Sequence, residues 1–182
     1  MKNSLRTKEV LYFPCVELEA YSTFFDRWIP VVDDAESWTP IVTEFGDDQP
    51  DILEDSYAKW IEECVEAFNS LSMEDLDRIS KGFILECRDV EKETGHTWGS
   101  FKGNFSGLRA TDPQALWIGK PRKDSIPAVI YEANCSWDEE HGTSFVLYGD
   151  KIIYLGQFES FDLNHENLEE HIGDLRNYAS KI

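Results

Sequence analysis

The last third of the chain carries three apolar runs separated by short connections, and this spacing restricts its fold more than any other feature. Residues 128–136 alternate between apolar and polar side chains, which is typical of a half-buried strand. The runs 143–147 and 151–155 follow, with a Gly-Asp hairpin-turn signal between them. Because connections this short join antiparallel neighbours, the pattern predicts an antiparallel meander over residues 115–156.

Two amphipathic helices are predicted in front of the meander, over residues 51–94. Apolar residues recur there at steps of three and four, and Asn69-Ser70 separates two such stripes. Pro50 suits the first turn of the first helix, and Ser72 with Asp75 resembles the capping box of the second. The segment is therefore predicted to form a helical hairpin. Its stripes are Leu53, Tyr57, Trp60, Ile61, Cys64 and Phe68, then Leu76, Ile79, Phe83, Cys87 and Val90.

Further elements are predicted towards both ends of the chain. Residues 9–45 contain strand-like runs, of which 24–32 and 38–45 are predicted to form an antiparallel pair. A final helix is predicted over residues 167–180. Since strands and helices are grouped rather than alternating, the sequence predicts a single α+β domain over residues 1–182. In it, an antiparallel sheet of about six to seven strands packs against the helical hairpin and the C-terminal helix.

The segment between the hairpin and the meander, residues 95–109, alternates glycine with aromatic residues. It lacks the GK[ST] ending of a phosphate-binding loop and the strand-to-helix setting of a dinucleotide fingerprint. A long connecting loop is the plain interpretation. A binding loop, with Trp98 and Phe101 as aromatic anchors, is the alternative.

The net charge of −19, from 17 basic and 36 acidic residues, constrains the partners of the chain. Such a charge disfavours nucleic acid and anionic membrane surfaces, which attract Lys and Arg. Residues 33–94 alone hold 19 acidic and five basic residues, a net charge of −14. This field attracts a basic protein, although solubility by itself also explains an acidic surface. The predicted partner-binding residues are Asp47, Asp48, Glu54, Asp55, Glu62, Glu63, Glu66, Trp98 and Phe101.

The cysteines and the apolar runs indicate a cytoplasmic protein. Cys15, Cys64, Cys87 and Cys135 are far apart and form no CxxC pair, so buried free thiols are expected. Residues 1–9 are polar and charged, unlike a secretory signal. No apolar run approaches the roughly 18–20 residues that span a bilayer.

The connection between the first two meander strands, Trp-Asp-Glu-Glu-His-Gly at residues 137–142, is the densest set of chemical groups. Glu140 and His141 are candidates for general acid/base work, although adjacent residues of an extended strand point to opposite faces. A pairing of Cys135 with His141 is a further alternative, but no sign of thiol activation accompanies it. The chain has neither a GxSxG nucleophile motif nor histidines at metal-binding spacing, and the sequence predicts no metal and no cofactor.

A structural role explains the same connection. Trp137 is suited to closing the end of the core, and Asp138 to accepting backbone N–H groups of a turn. Gly142 is suited to a backbone conformation that other residues avoid. Glu140 or His141 is then available to contact a neighbouring strand.

The same residues carry a family resemblance. Trp137-Asp-x-Glu140-His141-Gly142, followed by a strand, a Gly-Asp-Lys turn and Ile-Ile-Tyr-Leu-Gly156, resembles uncharacterised bacterial domains with a W-[DE]-x-E-H-G-[LM] signature. The stretch Leu-Trp-Ile-Gly-Lys-Pro at residues 116–121 is also similar, so the resemblance covers about residues 115–157. Thr143 departs from it, because an apolar residue is usual there. The resemblance implies no catalytic activity and suggests proteins found near toxin and immunity genes.

We therefore expect a non-enzymatic, acidic protein-binding protein, most concretely an immunity protein that neutralises a basic bacterial toxin. The alternative is a small hydrolase that uses Glu140 and His141, with or without a metal.

Overall fold

The computed structural model describes three strand segments near the N-terminus and residues 55–182 except 174, with side chains described from residue 59 onward. The N-terminal strands are β1 (Leu5–Val10), β2 (Phe13–Leu18) and β3 (Pro40–Thr43). The helices are α1 (Asp55–Asn69), α2 (Met73–Thr94) and the short α3 (Leu168–His171). The remaining strands are β4 (Thr111–Ile118), β5 (Ala128–Cys135), β6 (Asp138–Tyr148) and β7 (Lys151–Gln157). Single 3₁₀ turns lie at Leu108–Ala110 and Ala179–Lys181.

The predicted helical hairpin is confirmed, and local chemistry sets the limits of its second helix. The Ser72 hydroxyl accepts the backbone N–H of Asp75, and the Asp75 carboxylate accepts the backbone N–H of Ser72, which completes the capping box. Gly95 ends α2 in the left-handed conformation at φ +73° and donates its N–H to the carbonyl of Glu91. None of the helices in the described part of the chain has the length and apolar character needed to cross a membrane.

The α+β class and the antiparallel meander are confirmed, but the expected strand count is not supported. Strands β4 to β7 form an open antiparallel sheet of four strands in chain order. The neighbouring β3 runs parallel to β4, with both helices of the hairpin between them in the chain. A parallel pair needs such a crossover, and short connections in the sequence do not reveal it. An antiparallel sheet of six to seven strands is therefore not supported.

The N-terminal predictions are only partly covered by the described residues. The strands β1 and β2 pair antiparallel, and β2 pairs antiparallel with β3. Strand β3 lies within the predicted run 38–45. The predicted run 24–32, and hence its pairing with 38–45, lies outside the described residues. The assignment of residues 1–182 to a single domain stays a prediction.

The sheet is covered on both faces, because alternate residues of each strand enter different apolar clusters. Val129, Tyr131 and Phe145 belong to the cluster that includes the buried face of the helical hairpin. Ile130 and Val146 belong to a second cluster with residues that follow β7. That second cluster contains Ala128, Ile130, Val146, Tyr154, Phe161, Leu163, Leu168 and Ile172. The segment after β7 thus acts as a second layer on the sheet.

The predicted helix over 167–180 is wrong. Among the described residues of this range, only α3 and the closing 3₁₀ turn are helical, because Asn177 and Tyr178 bond to the edge of β7 instead. The Asn177 side chain donates to the carbonyl of Ile153 at 2.7 Å and accepts the N–H of Leu155 at 3.1 Å. The N–H of Tyr178 donates to the carbonyl of Leu155 at 2.8 Å. These bonds cover an edge strand that would otherwise expose unpaired backbone groups.

Candidate functional site

The six residues from Trp137 to Gly142 form the turn between β5 and β6 and the first residues of β6. Trp137 is 3% exposed and belongs to the core under the hairpin. The carboxylate of Asp138 accepts the backbone N–H of His141 at 3.1 Å. Gly142 has φ +72°, and a Cβ there would lie 2.5 Å from the carbonyl oxygen of Ala133. A left-handed glycine against a neighbouring strand and a carboxylate-capped turn are structural features.

The two residues of the hydrolase alternative lie on the exposed first residues of β6, directly after the turn. Glu140 and His141 are exposed. The His141 Nδ1 lies 3.0 Å from the Asp138 carboxylate, within the same turn. Neither Glu140 nor His141 lines either of the two cavities described below. Within that part of the chain, no group of three or more His, Cys, Asp or Glu side chains gathers in a way that could hold a metal ion.

The three described cysteines are free and buried: Cys64, Cys87 and Cys135. The thiol of Cys135 contacts the carbonyl of Asp138 at 3.7 Å. Burial raises its pKa to about 12, so it is a neutral thiol rather than an activated nucleophile. Burial also raises the pKa of the Cys64 thiol to about 12 and that of Cys87 to about 11. The Cys135 thiol makes no hydrogen bond with His141, whose ring contacts the Asp138 carboxylate instead.

A small cavity of about 60 Å³ lies behind the turn, between α2, β7 and the C-terminal segment. Its deepest charged group is Glu86 of α2, a carboxyl that is only 3% exposed. The hydroxyl of Thr143 lies 2.6 Å from Glu86 Oε2 and 3.2 Å from the carbonyl of Gly156. The lining residues are Glu86, Val90, Asp138, Tyr154, Gln157, Glu159, Leu175 and Arg176.

The environment of Glu86 perturbs its acidity. Burial raises the pKa of this carboxyl to about 7, against the opposing effects of Thr143 and of the Trp137 indole N–H. The Trp137 Nε1 is buried and makes no hydrogen bond of standard geometry, so its effect on Glu86 is a weak polar contact. Arg176 also lines the cavity, but its guanidinium is paired with Glu93 of α2. Titratable groups shifted by burial inside a cavity are common at functional sites.

Glu86 and Thr143 were not among the candidate site residues predicted from the sequence, although the sequence contains a signal for each of them. Glu86 stands three residues after Phe83 and four before Val90, on the buried side of the α2 stripe. Thr143 stands at the start of the predicted apolar strand run 143–147. A carboxyl on an apolar stripe and a hydroxyl in an apolar strand predict each other, because a buried polar group needs a partner.

Two acidic residues of α1 lie on its exposed face. Glu62 and Glu66 are exposed, and neither belongs to an ion pair among the described residues. Glu63 pairs with Lys59 at 3.2 Å. The side chain of Asp55 is not described, and Asp47, Asp48 and Glu54 lie outside the described residues.

The aromatic residues of the 95–109 loop contact the protein's own core. Trp98 and Phe101 are partly buried against the cluster under the hairpin. The backbone N–H of Trp98 donates to Glu91 at 2.9 Å, and the Phe101 ring meets Trp137 edge-on at 6.3 Å. This packing leaves part of each ring for a partner and ties the loop to the turn at residues 137–142.

A second, larger cleft of about 440 Å³ lies at the basic loop that precedes β5. Its Arg122 has a side chain that is only 3% exposed. The guanidinium donates to the carbonyls of Leu163, His165 and Glu166 and pairs with Asp124. Since its donors are engaged within the chain, Arg122 clamps the loop to the segment after β7 and is not a free anion-binding group.

Comparisons with known proteins give a family but no function. A family model described as a domain of unknown function (DUF6985) matches residues 17–163, so the prediction of an uncharacterised domain family is confirmed. The W-[DE]-x-E-H-G signature and a bacterial origin stay predictions. No curated protein and no solved structure matches the chain. Because the family model covers most of its length, the chain belongs to the DUF6985 family.

Proposed function

We propose that this protein is a non-enzymatic binding protein whose partner is a basic protein. Its most concrete form is a bacterial immunity protein that neutralises a basic toxin in the cytoplasm. The free thiols of Cys64, Cys87 and Cys135 are compatible with that reducing compartment.

The outer face of α1 carries the proposal. Glu62 and Glu66 are four residues apart and exposed, and no described base neutralises either of them. Like charges at this spacing destabilise a helix by about 0.2–0.5 kcal/mol. On α2, by contrast, Asp77 pairs with Lys81, and Asp89 pairs with Lys92. An uncompensated acidic face is costly for the fold and useful for attracting a basic partner.

The test compares two matched charge reversals in binding to the partner that co-purifies from the native host at low salt. Glu62→Lys with Glu66→Lys should slow association at least tenfold and flatten its salt dependence. The control, Glu169→Lys with Glu170→Lys, makes the same change of charge on α3 and should have a much smaller effect. Recovery of no basic partner, or equal effects of the two pairs, contradicts the proposal.

The hydrolase alternative has less support, because Glu140 and His141 are exposed and outside both cavities. It predicts that His141→Ala abolishes a hydrolytic activity at unchanged stability. Metal analysis of the purified protein tests its metal-dependent form: a stoichiometric transition metal that is lost in His141→Ala would favour the enzyme.

A further inference from the structure

We propose that the cavity behind the turn at residues 137–142 receives a primary ammonium group, the tip of a lysine side chain presented by the basic partner. The inference rests on the proposed function for the identity of the partner. The cavity itself can be tested with a small molecule and without that partner.

The shape and lining of the cavity suit an ammonium group on an aliphatic stem. Carboxyl groups of Glu86, Asp138 and Glu159 line it. Apolar surface comes from Val90 and Leu175. The volume of about 60 Å³ equals about two water-sized groups, which accommodates an ammonium head and an adjoining methylene.

An incompletely paired carboxyl at the base of the cavity points to a cationic donor. Glu86 is 97% buried, and its Oε2 is engaged by Thr143, whereas no described hydrogen bond engages its Oε1. The Trp137 indole N–H approaches this carboxyl without completing a bond. The free Oε1 can accept a hydrogen bond, and an ammonium group supplies three donors.

No cationic side chain of the described lining forms an ion pair with the Glu86 carboxyl. Arg176 lines the cavity, but its guanidinium is paired with Glu93 and its side chain is 55% exposed. Tyr154 is also engaged, since its hydroxyl donates to the carbonyl of Gln157 at 2.7 Å. The carboxyls of Asp138 and Glu159 outnumber the one guanidinium of the described lining, and this balance of charge favours a cation over an anionic group.

Release of a proton from Glu86 is a second expected sign of ammonium binding. The pKa of Glu86 is about 7 because it is buried, so a large share of this carboxyl is protonated at neutral pH. An ammonium group favours the charged form, and its binding below pH 7 must release a proton from Glu86. Affinity should therefore fall as the pH drops from 8 to 6, with up to one proton released per ligand.

The probe is Nα-acetyl-lysine methylamide, and its matched control is the same compound acetylated on the ε-nitrogen, which removes the charge. We expect the charged probe to shift the Trp137 indole N–H resonance saturably in a ¹H–¹⁵N NMR titration at pH 8. The neutral control and an equal concentration of NaCl should not. Glu86→Gln should weaken binding about tenfold or more, because it removes a buried charge-assisted bond.

Glu159→Gln provides a second variant that does not disturb the buried cluster, and it should weaken binding by a smaller factor. Glu139→Gln, an exposed carboxyl of the same turn outside the cavity lining, should leave it unchanged. Equal shifts with the acetylated probe, no saturation, or unaltered binding in both Glu86→Gln and Glu159→Gln would overturn the ammonium site. Because no partner is used, a failed probe titration and a failed partner capture remain separate results.

Discussion

Replacing Glu86 by glutamine should make the protein more stable at alkaline pH while leaving its stability at acidic pH nearly unchanged. Glutamine is close in shape to the protonated carboxyl and keeps an oxygen for the Thr143 hydroxyl. The carboxyl has a pKa of about 7 in the folded protein and 4.5 as an ordinary glutamate. The folded state therefore binds a proton more tightly than the unfolded chain between these two values.

The direction and size of the effect follow from that difference. Stability must fall as the pH rises from 4.5 through 7, because the unfolded chain loses its proton first. One pKa unit corresponds to about 1.4 kcal/mol, so the ionised Glu86 costs the fold about 3 kcal/mol once the pH exceeds 7. About 2 to 3 kcal/mol of this develops between pH 5 and pH 8.

Urea denaturation of both proteins at pH 5, 6, 7 and 8 gives the free energy of unfolding of each. The difference between the two proteins is then compared across the pH values, so that the contributions of the other titrating groups cancel. The stability of Glu86→Gln relative to the parent should rise by about 2 to 3 kcal/mol across this range. The control Glu140→Gln removes an exposed carboxyl of the neighbouring turn and should change stability by less than about 0.5 kcal/mol at every pH. A pH-independent difference for Glu86→Gln, or one that falls as the pH rises, would refute the reasoning.

Three further substitutions test other contacts. Gly142→Ala should lower the free energy of unfolding by about 2–4 kcal/mol in urea denaturation, because it adds a steric clash to a left-handed backbone. The control Gly103→Ala, at φ +85° with open space around it, should lower it by about 1 kcal/mol. Arg122→Ala should cost about 3 kcal/mol by the same measurement, since it breaks a buried clamp, and the exposed Lys123→Ala less than about 1 kcal/mol; equal losses would contradict the clamp. Thr143→Val should raise the pKa of the carboxyl it contacts above about 7 in a ¹³C NMR titration, because that hydroxyl favours the charged form; an unchanged pKa would show that the contact is absent in solution.

The helical hairpin was predictable because its signals are local. The α2 capping box needs only the spacing of Ser72 and Asp75, and the buried stripes follow from a period of 3.6 residues. The meander was predictable for a similar reason, since its short connections leave antiparallel pairing as the only solution. In each case the residues that decide the structure are close together in the chain.

The errors fall where distant segments compete for the same backbone groups. Residues 167–180 carry a helical pattern, but Asn177 and Tyr178 bond to β7 more than 20 residues upstream. The parallel contact of β3 with β4 joins residues such as Ile41 and Leu116. Local helix and strand propensities are weaker than the hydrogen bonds that an edge strand forms with a distant segment. Tertiary pairing therefore decided the structure of both segments.

The candidate site shows the same division. The amino-acid sequence by itself determined that a polar stretch containing Trp137 to Gly142 joins two strands, and that the chain carries a strongly acidic helical segment. Only the tertiary structure decided that this turn closes over Glu86, 57 residues away from its partner Thr143, and leaves a cavity beside it. The acidity of a carboxyl depends on its desolvation and on the donors around it. Desolvation and the positions of the donors are set when separate elements pack together, so the residue spacing within one helix or strand does not reveal them.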